Sequence, residues 1–173
     1  QEFDLVAPIV IINTADLTGG VPSASIGTVG SYAVNGTQSA MPTYYKNSSN
    51  NWVLVGSTAW MNSIPAVTSG ATNPTLTSSE SIAINGTIVT LTGTTVTTTA
   101  SDIVNAGITG ITASAASGKL QIFIDNTAAS DGSTVDGAMA ISNDTGTPLA
   151  DLQITASTYY RPAVQQSAHT SIP

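Results

Sequence analysis

The pair Asn85-Gly86 is the strongest structural instruction in this sequence. It stands in the middle of Ser81-Ile82-Ala83-Ile84-Asn85-Gly86-Thr87-Ile88-Val89-Thr90-Leu91, where apolar and polar residues alternate on both sides. Period-two alternation sends successive side chains to opposite faces of a sheet. Asn and Gly tolerate the positive φ values that a two-residue hairpin turn demands. The segment therefore predicts a β-hairpin, and its apolar face needs more strands or a helix to cover it.

The following residues offer both. Thr98-Thr99-Ala100-Ser101-Asp102-Ile103-Val104-Asn105-Ala106-Gly107 predicts one short helix, with a Thr cap, an early Asp and a terminal Gly. Ile108 to Ala113 reads as a strand, Ser117-Gly118-Lys119 as a turn, and Leu120-Gln121-Ile122-Phe123-Ile124 as the returning strand. Gly137 to Ile141 is a further strand. Leu149 to Leu152 is a helical turn or a strand start, and Leu152-Gln153-Ile154 closes the unit.

The first part of the chain reads as a smaller β unit. Ser31-Tyr32-Ala33-Val34 alternates like a strand, and Tyr44 to Val55 reads as a hairpin around the polar turn Asn47-Ser48-Ser49-Asn50-Asn51. An apolar arm precedes it, carrying Phe3, Leu5, Val6, Ile9, Val10 and Ile11. Pro8 restricts the arm to an edge position. Two readings stay open: a first strand of the local sheet, or an arm docked on a neighbour. Residues 66–79 are small, polar and Pro-punctuated, which predicts a linker or crossover with a domain boundary near residue 70.

The expected fold class is thus mainly β: two small β-rich units, the second with one short helix. Residues 1–70 hold the arm and hairpin unit, 71–156 the strand–helix–strand unit, and 157–173 an extended tail leading into further sequence. Tyr159, Tyr160 and Arg161 are the expected contact residues of that tail.

Charge narrows the function classes. Only 8% of residues are charged, against about 25% in an average soluble domain. The formal net charge is −7, and the only cations besides His169 are Lys46, Lys119 and Arg161. Three scattered cations cannot form the basic stripe that neutralises phosphates, so nucleic acid is not an expected partner. Anionic membrane surfaces are excluded on the same ground. No apolar run is long enough to span a bilayer, so no membrane insertion is expected. With no cysteine, disulfides and thiolate metal sites are excluded.

Catalytic constellations are equally sparse. A Ser-His-Asp triad would have to use His169, which lies in the expected tail. Glu2 and Glu80 are the only glutamates, and nothing brings two carboxylates across a cleft as glycoside hydrolysis requires. No glycine-rich phosphate loop follows a strand. No catalytic residue and no cofactor are assigned. Asp125, Asp131 and Asp136, with Asp144 beyond them, offer the hard oxygens calcium prefers, but without an EF-hand's spacing or its bidentate Glu. They are the sole metal candidates, and simple turn chemistry is the competing reading. Tyr32, Tyr44, Tyr45, Trp52 and Trp60 are either a sugar-stacking platform or the core of a small domain.

Two sets of segments carry a resemblance. Ile82 to Thr87, Thr99 to Ile108 with Ile103-Val104-Asn105-Ala106 at its centre, Ile111 to Ser114, Gly118-Lys119-Leu120 and Gly146 to Leu152 together resemble the Ile-Asn motif repeat of flagellin and hook-associated proteins. A similar module looks like a recurrent part of structural proteins in tailed phages, especially myoviruses of cyanobacteria. Ser31 to Val34, Tyr45-Lys46 and Asn51-Trp52-Val53 resemble the small Tyr/Trp hairpin of phage fibre and baseplate proteins, and Ala59 to Pro65 and His169 to Pro173 also look phage-like. The resemblance implies a virion structural protein (fibre, neck, tail or capsid decoration), located in the virion and acting by assembly rather than catalysis. Its implied partners are copies of itself and other virion proteins, with a host surface glycan as a further possibility. The alternatives are an extracellular filament or adhesin module and a carbohydrate-binding domain. Against the filament reading, the long terminal helices of flagellar subunits have no counterpart here.

Overall fold

The computed structural model of the protein describes residues 7–164. Strands take up 33% and helices 14%, so the chain is mainly β as the sequence predicts. It divides into two compact units. The described part of the first is residues 7–63 with 163 and 164; the second is Ile64–Pro162. The boundary expected near residue 70 therefore falls between Ser63 and Ile64.

In the first unit, β1 (Ile9–Ile11) pairs in parallel with β4 (Tyr32–Asn35), which continues antiparallel into β5 (Thr43–Lys46) and β6 (Trp52–Leu54). The predicted hairpin is present, with Tyr44 opposite Leu54 and Lys46 opposite Trp52. A small ribbon of β2 (Leu17–Thr18) and β3 (Val21–Pro22) turns at Gly19-Gly20, and α1 (Thr58–Met61) begins at Ser57, whose hydroxyl accepts the Trp60 amide at 3.2 Å. This short helix has no counterpart among the elements expected from sequence. Ile9, Val10 and Ile11 form an edge strand of their own unit, with Ile11 buried and Val10 58% exposed. The arm residues Phe3, Leu5 and Val6 lie outside the described residues.

The second unit holds two sheets. One runs β10 (Ile111–Ala116), β11 (Lys119–Ile124), β7 (Val67–Thr68). The other runs β13 (Ser157–Tyr160), β12 (Ala138–Thr145), β8 (Ser81–Ile84), β9 (Thr87–Thr90). Asn85 and Gly86 take φ of 49° and 78°, the double positive φ of the expected hairpin turn between β8 and β9. Helix α2 (Val96–Asn105) starts earlier than predicted, because Thr95 caps it: Thr95 and Thr98 exchange hydroxyl–amide bonds in a capping box. Helix α3 (Pro148–Leu152) settles the ambiguous Leu149 to Leu152 segment as helical. Both sheets and both of these helices meet in one core, with Ile82, Ile84, Ile103, Leu120, Ile122, Ile124, Met139 and Leu152 fully or almost fully enclosed.

The structure decides two expectations here. Of the two readings of residues 66–79, the crossover fits and the linker does not, since the segment contains β7 and leads into β8 of the other sheet. The Ala66 and Ser69 amides donate to Ile122 and Leu120 carbonyls on β11, and Lys119 Nζ donates to the Ser69 and Gly70 carbonyls at 3.2 and 2.9 Å. Leu76 is 2% exposed in the core. Nor does an extended tail begin at residue 157. Ser157–Tyr160 is β13, paired with β12 from Ala138↔Tyr160 to Ile141↔Ser157, because Thr and Tyr suit an edge strand with one wet face.

Candidate functional site

The first unit is organised around a buried cation. Lys46 closes β5 and is 1% exposed. Its ammonium donates to the carbonyls of Ala24 at 2.6 Å, Ile26 at 2.7 Å and Gly27 at 3.2 Å. It also sits 5.3 Å from the centre of the Trp52 ring. An ammonium has three donors, and all three are used. The same loop is held by Trp52 Nε1 donating to Ser23 O at 3.2 Å and by Asn35 Nδ2 donating to Gly20 O at 2.9 Å. Asn35 in turn accepts from the Thr37 amide and hydroxyl at 3.0 and 2.6 Å. Polar side chains thus strap residues 20–27 onto a sheet whose own apolar core is small.

These contacts decide what the aromatic residues do. Tyr32 and Tyr45 stack on each other at 5.0 Å with a 48° tilt. Burial, with the neighbouring Tyr32 hydroxyl, raises the Tyr45 pKa above its ordinary 10.0. Tyr44 points its hydroxyl at Gly20 O, 3.4 Å away, and Trp52 lies beside the Lys46 ammonium. Of the expected platform residues, Tyr32, Tyr44, Tyr45 and Trp52 are half-buried and make these contacts within the unit, while Trp60 is buried at 6% exposure.

In the second unit the expected calcium ligands bond within two local stretches, Asp125 in one turn and Asp131 with Asp136 in the loop of residues 130–138. Asp125 Oδ1 accepts from the Thr127 amide and hydroxyl at 2.7 and 2.5 Å. Asp131 Oδ1 accepts from the amides of Ser133 and Thr134 at 2.8 and 2.6 Å. Asp136 accepts from the Ser130 hydroxyl, the Ser130 amide and the Ala138 amide. The bonds from Thr134 and then Ser133 lower the Asp131 pKa from 3.8 to about 2. The Ser130 hydroxyl and amide hold Asp136 below its ordinary value too. Among the described residues, no three acidic or imidazole groups converge as a metal-binding set. The two- and three-residue spacings of Asp125 and Asp131 to their amides are turn spacings, and Asp136 closes the loop between them by reaching back to Ser130. Asp144 accepts from the Ser81 hydroxyl at 2.7 Å. Glu80 lies against Gly146, and its Oε2 is buried without a hydrogen-bond partner among the described residues. His169 lies outside the described residues.

The expected tail contacts are on β13. Tyr159 is half-buried and donates its hydroxyl to Thr155 O at 2.8 Å, Tyr160 is 68% exposed, and the Arg161 amide donates to Gly137 O at 2.9 Å. Arg161 lays its aliphatic stem over Gly137.

The feature that sequence reading missed concerns the sheet edges. The three larger sheets end in β1 and β6, β10 and β7, and β13 and β9. None of these six edge strands contains Asp, Glu, Lys, Arg or Pro. Among the described residues, the charged side chains that lie on strands, Lys46, Lys119 and Asp144, are all on interior strands. Soluble proteins ordinarily place charge or proline on edges to stop strangers from pairing there. Exposed apolar side chains sit on several of these edges: Val10 on β1, Leu54 on β6, Ile88 on β9 and Tyr160 on β13. Comparison with protein-family models, curated proteins and solved structures finds no match to this chain.

Proposed function

We propose that this protein is a structural subunit of a tailed-phage virion, a fibre, neck, tail or capsid-decoration component that acts by occupying a place in a symmetric assembly. The observation that carries this reading is the set of uncharged, proline-free sheet edges. An edge offers unpaired amides and carbonyls, and leaving it unguarded suits a chain whose edges meet defined neighbours. The weakly charged surface agrees with it, because burying Thr, Ser and Ala in a contact requires no desolvation of ions. The resemblance to phage structural modules points the same way.

The test is localisation. Antibodies raised against the purified chain should decorate tailed particles from the source at one fixed position in electron micrographs, and the chain should co-purify with those particles through a density gradient. Recovery only in the soluble fraction, with undecorated particles, would overturn the reading.

A further inference from the structure

The edge strand β9 has a partner written into its own geometry. In a hairpin closed by a two-residue turn, the residues flanking the turn exchange both backbone bonds, and the pattern then alternates along the ladder. Ile84↔Thr87 flanks the turn, and Ile82↔Val89 is the next bonded pair. The Leu91 amide continues the series by donating to Glu80 O at 2.8 Å. Thr87, Val89 and Leu91 therefore turn their amides and carbonyls toward β8. Ile88 and Thr90 turn theirs outward. Thr87, Ile88 and Thr90 are exposed, with Ile88 at 49%, while Val89 is buried in the core.

We infer that β9 pairs with β9 of a second copy, antiparallel about a two-fold axis through Val89. In that register Ile88 faces Thr90 of the other copy, and Thr90 faces its Ile88. All four outward backbone groups of each strand are then bonded, giving four hydrogen bonds across the axis. A register centred on Ile88 would instead set Thr90 against Gly86, which belongs to the turn. An isologous contact requires that residue i meet residue j and j meet i, and the register about Val89 does this with Ile88 and Thr90, the two residues of β9 whose backbone groups face outward. The two Ile88 side chains come together diagonally on the outer face, within reach of one another. Electrostatics select the same strand. Copies carrying −7 repel, and a two-fold contact doubles every local charge, but β9 has none. The opposite edge, β13, runs directly into Arg161 and Pro162, a like charge and a missing donor that oppose self-pairing. The joined sheets would form one sheet running β13-β12-β8-β9 through the axis and back.

This pairing deepens the assembly reading by naming one partner, and it can fail on its own. The measurement is sedimentation velocity on the full chain from roughly 1 µM to 1 mM, the range a small interface requires. Amide hydrogen exchange is followed at both ends of that range. The expected result is a monomer–dimer equilibrium. With rising concentration the Ile88 and Thr90 amides should slow by about tenfold or more, while Thr87 and Val89, already bonded to β8, should not change. Ile88→Lys and Thr90→Pro should each leave a monomer with unchanged circular dichroism. Three results would overturn the pairing: a monomer throughout, a dimer whose Ile88 and Thr90 amides exchange as in the monomer, or a dimer that persists in Ile88→Lys. A monomer that nevertheless labels particles would remove this contact and leave the virion assignment standing.

Discussion

Replacing Lys46 by Met tests whether the buried ammonium holds the first unit together. Met keeps the length and most of the apolar stem but has no donor. Three carbonyls, those of Ala24, Ile26 and Gly27, lose their partner. An orphaned buried acceptor costs about 1–3 kcal/mol. Ala24 is exposed and Ile26 and Gly27 are half-buried, so water can reach part of the loop and the low end applies. Three carbonyls at about 1 kcal/mol each give about 3 kcal/mol. The lost contact with the Trp52 ring at 5.3 Å adds about 0.5–1 kcal/mol. Against this, Met needs no desolvation of a charge, which returns on the order of 1 kcal/mol. The net expectation is a loss of about 2–3 kcal/mol.

The assay follows from the sequence. Trp52 and Trp60 are the only tryptophans, and both belong to the first unit, so their fluorescence reports that unit's unfolding selectively. In urea, with a slope of about 1 kcal/mol/M for so small a unit, the midpoint should fall by about 2 M or more. Far-ultraviolet dichroism of the second unit should keep its midpoint. A tryptophan midpoint unchanged within about 0.3 M, or raised, would refute the reasoning, because it would mean that the three ammonium bonds only balance the cost of burying the charge.

Three further outcomes are expected. Asn85→Gly keeps the positive φ of the turn but removes the side chain that donates to Ala138 O at 3.2 Å and accepts from the Ala140 amide at 2.8 Å, so thermal denaturation should show a loss of about 1–3 kcal/mol in the second unit. Leu76→Ala should cost about 2–5 kcal/mol in the second unit and leave the tryptophan transition in place, which separates a core residue from a linker residue. For Asp131 the folded pKa is depressed from 3.8 to about 2, so its hold on the loop is fully present above about pH 4 and is lost as pH falls toward 2. The Ser133 and Thr134 amide resonances should titrate across that window and stay flat from pH 5 to 8, and Asp131→Ala should abolish the titration.

What could be read from sequence was whatever chemistry is local. Asn85-Gly86 carries its turn in two residues, and Tyr44 to Val55 carries its hairpin in one alternation and one polar loop. Lys46 shows the limit. Its partners lie about twenty residues upstream in a segment without periodicity, and a lone lysine in a strand looks like a solvated side chain. Leu76 was hidden because its neighbours are Thr, Ser and Pro, and a polar context reads as linker even where backbone bonds to Leu120, Ile122 and Thr94 tie it down. β13 was missed because its outer face is wet, so the apolar half of the alternation is weak. The Asp125 to Asp136 cluster was legible in composition but not in geometry. Spacing alone cannot distinguish carboxylates that converge on an ion from carboxylates that bond amides and hydroxyls of their own loops.

The distribution of charge and strand length bears on how the open edges avoid indiscriminate pairing. The described charges lie in loops, turns, the 3-10 turn Thr14–Asp16, helix α2, helix α3 and interior strands, so the surface repels copies in general while its edges do not. Each edge is short, from the two residues of β7 to the six of β10, so no edge can template an extended ladder. An edge such as β9 offers only two residues' worth of outward groups. A contact of that size holds weakly between free copies. Repeated around a symmetry axis, with each copy already positioned by its other contacts, the same bonds act at high effective concentration and close the structure. On the proposed assembly role, a weak and neutral edge such as β9 suits a subunit that stays dispersed until its neighbours position it. A lysine placed on β9 should harm assembly far more than it harms the fold.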